Sequence, residues 1–203
     1  MSDVEKFVRF YESKFGKCLL EKETEYIYNE VKDCKTILDI GCGIGSFEQK
    51  LSELDITGLD ISEEMLTEAK KRSEKYFVLG DAENLKFDDS SFDAVFYVAT
   101  LEFITNYKKA IQEAWRVTRT NGKLLVIMLN PESHYFLEQT ADKDSYFRNV
   151  KHTNVKEIKD YISKFYHIIK DEYFLGIIAN EIFETSDKRS ASLYAVVGEK
   201  DRD

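Results

Sequence analysis

The chain has one proline and three cysteines in 203 residues, and no apolar run approaches the roughly 18 to 20 residues that would cross a bilayer. Cys18, Cys34 and Cys42 are odd in number and show no C-x-x-C spacing, which argues against a disulfide framework and against a zinc site. A reducing, cytoplasmic setting fits. The N-terminal segment MSDVEKFVRFYESKF is broken by charges every few positions and has no apolar core leading to a cleavage site, so nothing in it marks export. Positive charge is also short, with 29 Lys and Arg against 38 Asp and Glu, a net charge of −9. The basic residues are interleaved with acids, as in EKETEY and AKKRSEK, whereas binding a phosphate backbone needs them clustered. Neither a nucleic-acid partner nor a membrane is expected.

Against these absences stands an ordinary globular composition, 43% apolar and 33% charged, at a length suited to one domain with a sizeable core. Only nine glycines occur, and three of them alternate in ILDIGCGIGSF, at Gly41, Gly43 and Gly45. From Ile37 onward short apolar runs alternate with helical patterns, the mark of βαβ units and a mainly parallel sheet. Strands are predicted at 36–40, 56–60, 76–80, 93–98 and 123–129. Ser62 reads as an N-cap with Glu63 and Glu64 behind it. A helix with Phe47, Leu51 and Leu54 on one face is predicted after the first strand. Another, carrying Ile111, Ala114, Trp115 and Thr118, is predicted to stop at a left-handed Gly122. Residues 130–153 show too few spaced apolar positions for a regular element and read as an insertion. Asn154 and Glu157 form a capping pair for a helix, and two β-like runs, 168–174 and 192–198, close the chain as an antiparallel pair. Ahead of the first strand, Val4, Phe7, Val8, Tyr11 and Phe15 make one helical stripe, and Leu20, Thr24, Ile27 and Val31 a second.

In an open α/β sheet, ligands bind beyond the carboxyl ends of the strands, and the first strand-to-helix turn is the favoured place. Glycines there permit positive φ and let a ligand touch the backbone, while the following helix directs free N–H groups at it. Asp60 ends the second strand, where a carboxylate can accept both hydroxyls of a ribose, and Asp81 ends the third, where it can accept from an exocyclic amine. With Asp39, three strands deliver three acids to one cleft, which suits a positively charged ligand better than a pyrophosphate. A nicotinamide cofactor remains a rival, because an acid about 20 residues beyond a glycine loop is the dinucleotide fingerprint. The spacing here, G-x-G-x-G with Ser46 in the sixth position, leans away from it.

Taken together, LDIGCGIGSF, GLDIS, GDAENLKFDDSSFDAVF and EAWRVTRTNGKLLVIML resemble the motifs of the class I S-adenosylmethionine-dependent methyltransferases, in particular the small-molecule group that includes quinone-biosynthesis enzymes. The resemblance spans about Ile37 to Leu129. It implies a Rossmann-like, doubly wound α/β fold with a seven-stranded sheet, its last strand antiparallel, and helices on both faces. It implies S-adenosyl-L-methionine as cofactor, held by Asp39, Gly41, Cys42, Gly43 and Gly45 at its methionine part, Asp60 at the ribose, Ile61, Asp81, Ala82 and Glu83 at the adenine, and Val98 to Thr100 beside the methyl group. A single domain follows, with a helical cover at 1–34, a cofactor-binding core at 36–129, an acceptor-side insertion and helix at 130–166, and C-terminal strands at 167–198.

Methyl transfer from a sulfonium is an in-line displacement in which the protein orients the reactants and excludes water, so no catalytic triad is expected. The segment YVATLEFI contains neither the Asn-Pro-Pro-aromatic run that the family uses on amino groups of adenine or of amides nor the Pro-Cys pair it uses on cytosine carbon, which argues against both activities; the resemblance implies a small-molecule acceptor, with a protein side chain as a further alternative. Candidate acceptor-side residues are Tyr11, Glu102, His134, Tyr135 and Tyr146. A protein that binds S-adenosylmethionine or its demethylated product without turnover is the second reading, and a nicotinamide-dependent oxidoreductase the third.

Overall fold

The computed structural model describes residues 2–201. Its strands are β1 (Ile37–Ile40), β2 (Ile56–Asp60), β3 (Tyr76–Leu79), β4 (Phe92–Val98), β5 (Thr118–Leu129), β6 (His167–Ile178), β7 (Glu181–Phe183) and β8 (Ala191–Glu199). They form one sheet in the order β3-β2-β1-β4-β5-β8-β6-β7, with β1 to β5 parallel and β8 inserted antiparallel between β5 and β6. The order turns back at β1 and β4, so the crevice beyond these two strands is the expected ligand site.

The helices are α1 (Asp3–Glu12), α2 (Lys14–Val31), α3 (Ser46–Lys50), α4 (Glu63–Arg72), α5 (Tyr107–Val117), α6 (His134–Ala141) and α7 (Val155–Ile162). Alternate residues of the central strands feed two cores, as a sheet covered on both faces requires. Leu38, Ile40, Val95, Tyr97, Leu124 and Val126 pack with α5 and α7 residues on one face. Ile37, Ile56, Phe96, Leu125 and Ile127 pack with α2 and α6 residues on the other.

Eight strands stand where seven were expected, and the extra one has a local cause. Ala179 and Asn180 both take positive φ, 50° and 63°. They form the two-residue turn that sends β6 back as β7, with Ile178 opposite Glu181. Asparagine tolerates this conformation, whereas alanine gives no sequence warning of it. A second correction concerns the end of α5. The left-handed residue is Asn121, with φ of 60°, not Gly122. The helix passes directly into β5 at Thr118, whose hydroxyl donates to Ala114 O at 2.6 Å. Gly122 is needed for space, since a Cβ there would lie 2.7 Å from Arg119 O. Helix α3 is only five residues long, although Phe47, Leu51 and Leu54 are buried as expected.

The insertion is also more ordered than its sequence suggests. Ser133 caps α6 by accepting from Phe136 N at 3.1 Å, and a 3-10 turn follows at Tyr146–Asn149. Its anchoring residues, Tyr135 and Phe136, are adjacent and make no periodic stripe.

At the N-terminus Ser2 and Glu5 form a reciprocal capping box, and Ser13 ends α1 while accepting from Gly16 N at 2.9 Å to start α2. This corner depends on Gly16, because a Cβ there would lie 2.0 Å from the carbonyl oxygen of Phe10. Gly16→Ala is therefore expected to displace α1 from its seat and to speed proteolytic cleavage near Ser13. Limited proteolysis at rates equal to wild type would contradict this.

Candidate functional site

The glycine loop follows from where β1 must stop. Gly41, Gly43 and Gly45 have φ of 85°, 54° and 71°, values that glycine adopts without steric cost. The loop is fastened to the end of β2, since Gly41 N and Cys42 N donate to Leu59 O at 2.7 and 3.0 Å. Asp60 completes the attachment by accepting from Gly43 N at 2.9 Å with Oδ2 and from Ser62 N at 2.8 Å with Oδ1. A carboxylate has about four acceptor positions, so each oxygen keeps one for a ligand. Burial pushes the Asp60 carboxyl above its usual range, against the pull of these backbone donors.

Beside this loop lies a cavity of about 750 Å³, the size range of small-molecule and cofactor sites. Its floor is the loop and the ends of β1, β2 and β4, with Asp60, Ile61, Asp81, Ala82 and Glu83 along one side and Val98 to Thr100 along another. Its roof comes from α1, through Asp3, Val4, Phe7 and Tyr11, together with Phe103 and Tyr146. The Tyr146 ring meets Phe7 edge-on at 5.2 Å between centroids and Phe103 at 4.9 Å, which joins the insertion to the N-terminal helix. Six acids line the cavity (Asp3, Glu23, Asp60, Glu64, Asp81 and Glu83), and Lys151 is the only basic side chain on that lining among the described residues. Such a field favours a cation over a pyrophosphate.

The cavity fits S-adenosylmethionine on several counts. The positive-φ loop brings bare backbone to the space, and a Cβ at Gly43 would meet nothing within 4 Å. Asp60 retains acceptor capacity for ribose hydroxyls, and the acidic lining suits a sulfonium and an ammonium.

Buried carboxyls surround this space. Asp39 is 1% exposed and Glu48 0% exposed, and Gly58, opposite Asp39 in the sheet, makes room for Glu48, since a Cβ there would lie 2.6 Å from Glu48 Oε1. Asp39 Oδ2 and both Glu48 oxygens are buried without a hydrogen-bond partner, and the charge of Glu48 adds to burial in raising Asp39. Burial holds both acids high, Glu48 at about 7. Burial also lifts Glu102 to about 7 and Glu23 to about 8. The folded state therefore binds more protons than the unfolded chain from about pH 4.5 up to these values, and stability falls as pH rises through that window. Acids held low by a cation, such as Asp93 beside Arg119, act on the acid side of it. The melting temperature is expected to be lower near pH 8 than near pH 5.5, with a smaller drop in Glu48→Gln. A melting temperature that rises over this interval contradicts the assignment.

Of the residues singled out in the sequence, Gly41, Cys42, Gly43, Asp60, Ile61, Asp81, Ala82, Glu83, Val98, Tyr11 and Tyr146 border the cavity. Asp39 and Gly45 lie behind the loop; a Cβ at Gly45 would press on Ala69 and Phe77, both at 2.9 Å. Cys42 has its thiol pushed up by burial, so it is a packing group and no thiolate.

Three acceptor-side expectations are displaced. His134 is exposed at the start of α6, Tyr135 is turned into packing against Phe15 and Phe147, and Glu102 is buried as a brace. Glu102 Oε1 accepts from Leu129 N at 2.7 Å, and its carbonyl accepts from Lys151 N and His152 N. Burial raises the Tyr146 phenol, and the charge of Asp60, on the same cavity lining, adds to the rise. Sequence reasoning missed Glu23, which lines the cavity from α2; Ala99, within the 98–100 stretch expected beside the methyl group, lines the cavity wall at φ of 44°. Glu23 carries no motif and stands in a charged stretch, EKETEY.

Comparison with known proteins agrees with this geometry. The family model for a methyltransferase domain matches residues 38–126. An uncharacterized protein of Methanocaldococcus jannaschii is 28% identical over 193 residues, covering 93% of this chain and 89% of its own length. The demethylmenaquinone methyltransferase of Thermotoga maritima is 36% identical over 100 residues, 47% of this chain and 44% of that enzyme. The chain thus spans less than half the length of that named relative. Among solved structures, a Thermotoga maritima S-adenosylmethionine-dependent methyltransferase, described as a possible histamine N-methyltransferase, superposes with a TM-score of 0.81 at 22% identity, covering 98% of this chain and 96% of that one. With its glycine loop, strand-end acids and the family match, residues 38–126 form a methyltransferase domain, set in a chain that has the fold of S-adenosylmethionine-dependent methyltransferases.

Proposed function

We propose that this protein transfers a methyl group from S-adenosylmethionine to a small-molecule acceptor by in-line displacement, in the cytoplasm. The observation that carries the reading is the roof: Val4, Phe7 and Tyr11 of α1, with Phe103 and Tyr146, stand over the glycine loop and narrow a cavity of about 750 Å³ that stays open on one side. A small acceptor fits such a space better than a polymer does. The named relatives act on demethylmenaquinone and on malonyl-acyl-carrier protein. They support the reaction class and leave this chain's acceptor to its own cavity.

Bound here, S-adenosylmethionine supplies an electrophilic methyl group on a positively charged sulfur. The residues do the positioning. Asp60 accepts from the ribose hydroxyls while holding Gly43 and Ser62, which couples sugar recognition to the shape of the loop. Asp81 is itself fixed by accepting from Glu83 N at 2.8 Å, and it presents its carboxylate to the adenine amine. Ile61, 73% exposed at the rim, offers apolar surface to the same ring. Phe7, Tyr11, Phe103 and Tyr146 exclude water, and orientation with water exclusion is the main protein contribution to a displacement of this kind. The 130–166 segment supplies part of the acceptor side through Tyr146. Incubation with S-adenosylmethionine and a broad metabolite panel, followed by mass spectrometry, should reveal a product heavier by one methylene group. Cofactor binding with no methylated product across the panel would instead favour a non-catalytic binding protein.

A further inference from the structure

Glu23 has no counterpart among the motifs, yet it is the most unusual acid in the cavity. It sits in the middle of α2 between Leu19, Leu20 and Ile27, all of them buried, and is itself only 5% exposed. The remaining exposure belongs to the cavity, which it lines. No hydrogen bond or ion pair reaches its carboxyl among the described residues, and burial alone accounts for its rise to about 8. The other buried acids differ in place: Glu102, which accepts from Leu129 N with one oxygen, and the neighbouring pair Asp39 and Glu48 do not line the cavity. A buried, unpartnered carboxyl aimed into a cavity is costly to the fold by itself, so its partner is expected in the ligand.

The surroundings indicate the partner's chemistry. Glu23 enters the cavity from α2, and Tyr11 of α1 lines the same space. Burial first, and the charge of Glu23 second, raise the phenols of Tyr11 and of Tyr135 on α6. Asp60 and Asp81 line the cavity from the strand ends, and Asp39, held high first by burial and then by Glu48 and Asp60, lies behind the glycine loop. A carboxylate among aromatic rings is a cation site, because ring faces and the anion attract the same ligand. Because an ionised Glu23 attracts a cation and repels an anion, a compact cation with its own three donors fits better than a planar carboxylate or a phosphate.

We propose that Glu23 binds the ammonium group of a small molecule inside the cavity. This rests on the reading of the cavity as the methyl-transfer site. The ammonium can come from an amine acceptor or from the amino group of the cofactor's methionine part, and the position of Glu23 on the α6 side favours the acceptor.

The test is calorimetry on the full chain and its Glu23→Gln variant in two arms. The first titrates S-adenosylhomocysteine. The second titrates small aliphatic and aryl-alkyl amines, phenethylamine among them, each paired with its alcohol and its carboxylic acid, with and without S-adenosylhomocysteine. The expected result is that amines bind at least about ten-fold more tightly than their paired alcohols and acids, and that Glu23→Gln removes this preference while retaining S-adenosylhomocysteine. Retention also shows that the variant is folded. If the loss falls instead on S-adenosylhomocysteine, in a variant with a wild-type melting profile, the ammonium is the cofactor's own. Unchanged binding in both arms, or the absence of any amine preference together with unchanged S-adenosylhomocysteine affinity in Glu23→Gln, overturns the proposal. Failure of the wild-type protein to bind S-adenosylhomocysteine would count against the methyltransferase reading alone, since amine binding without it still reports on Glu23.

Discussion

Replacing Asp60 with alanine is expected to weaken S-adenosylhomocysteine binding by about a hundred-fold or more, equivalent to roughly 3 kcal/mol. Two losses combine at this position. The ribose hydroxyls lose charge-assisted acceptors, which are worth more than neutral ones in a partly buried site. The loop loses its fastening as well, because Gly43 N and Ser62 N both donate to this carboxylate. Asp60→Asn separates the two effects. Its amide oxygen can still accept from one backbone N–H, but its NH₂ group opposes the other, so an intermediate loss is expected. Titration calorimetry with S-adenosylhomocysteine measures both variants, and an unchanged dissociation constant in Asp60→Ala would remove Asp60 from the site.

Gly41→Ala should be nearly as damaging, and through the backbone. At φ of 85° an L-residue is strained, and its Cβ would lie 2.4 Å from Thr100 Cγ2 and 2.6 Å from Thr100 Oγ1. Strain and overlap together are expected to cost about 2–4 kcal/mol of stability and to move the loop away from the position that Asp60 holds. Gly43→Ala is the internal control. Its φ is 54°, but a Cβ there meets nothing within 4 Å, so only about 1–2 kcal/mol of left-handed strain applies. Thermal unfolding and cofactor titration should rank Gly41→Ala well below Gly43→Ala in both measures. Equal effects would mean that conformation alone, without the contact to Thr100, determines the loop.

The contrast between these two glycines marks the boundary of what the sequence made legible. That both sit at a ligand loop followed from their spacing after an apolar strand and from the acids at Asp60 and Asp81. That only one of them is pressed against the end of β4 is a tertiary fact, because Thr100 is 59 positions away in the chain and carries no local signal. The parallel core was readable for the same reason as the loop. Strands covered on both faces show as continuous apolar runs, and the N-caps of the helices, such as Ser62 of α4 and Asn154 of α7, lie where their side-chain oxygens are needed.

The acceptor side was readable only in part. His134 and Tyr135 drew attention as chemically capable residues in an insertion, yet α6 turns the first to solvent and the second into the core. Residue chemistry says nothing about orientation when the helix is short and lacks a clean apolar stripe. Glu23 shows the opposite failure. In sequence it is one acid in a charged stretch, EKETEY, and only the packing of α2 against the sheet makes it a buried carboxyl facing a cavity. Tyr11 and Tyr146 were singled out by their place on the N-terminal stripe and in the insertion, and both border the cavity, where Phe7 and Tyr146 meet.

The cleft beyond β1 and β2 is expected to hold a sulfonium nucleoside and not a dinucleotide. The most direct test is calorimetric titration of the purified protein with S-adenosylmethionine, S-adenosylhomocysteine and NAD. Saturable, micromolar binding of the first two at one site per chain, with no heat from NAD, is the expected result. Saturable binding of NAD without binding of either nucleoside would contradict the account, and with it the role given to the acids at the strand ends.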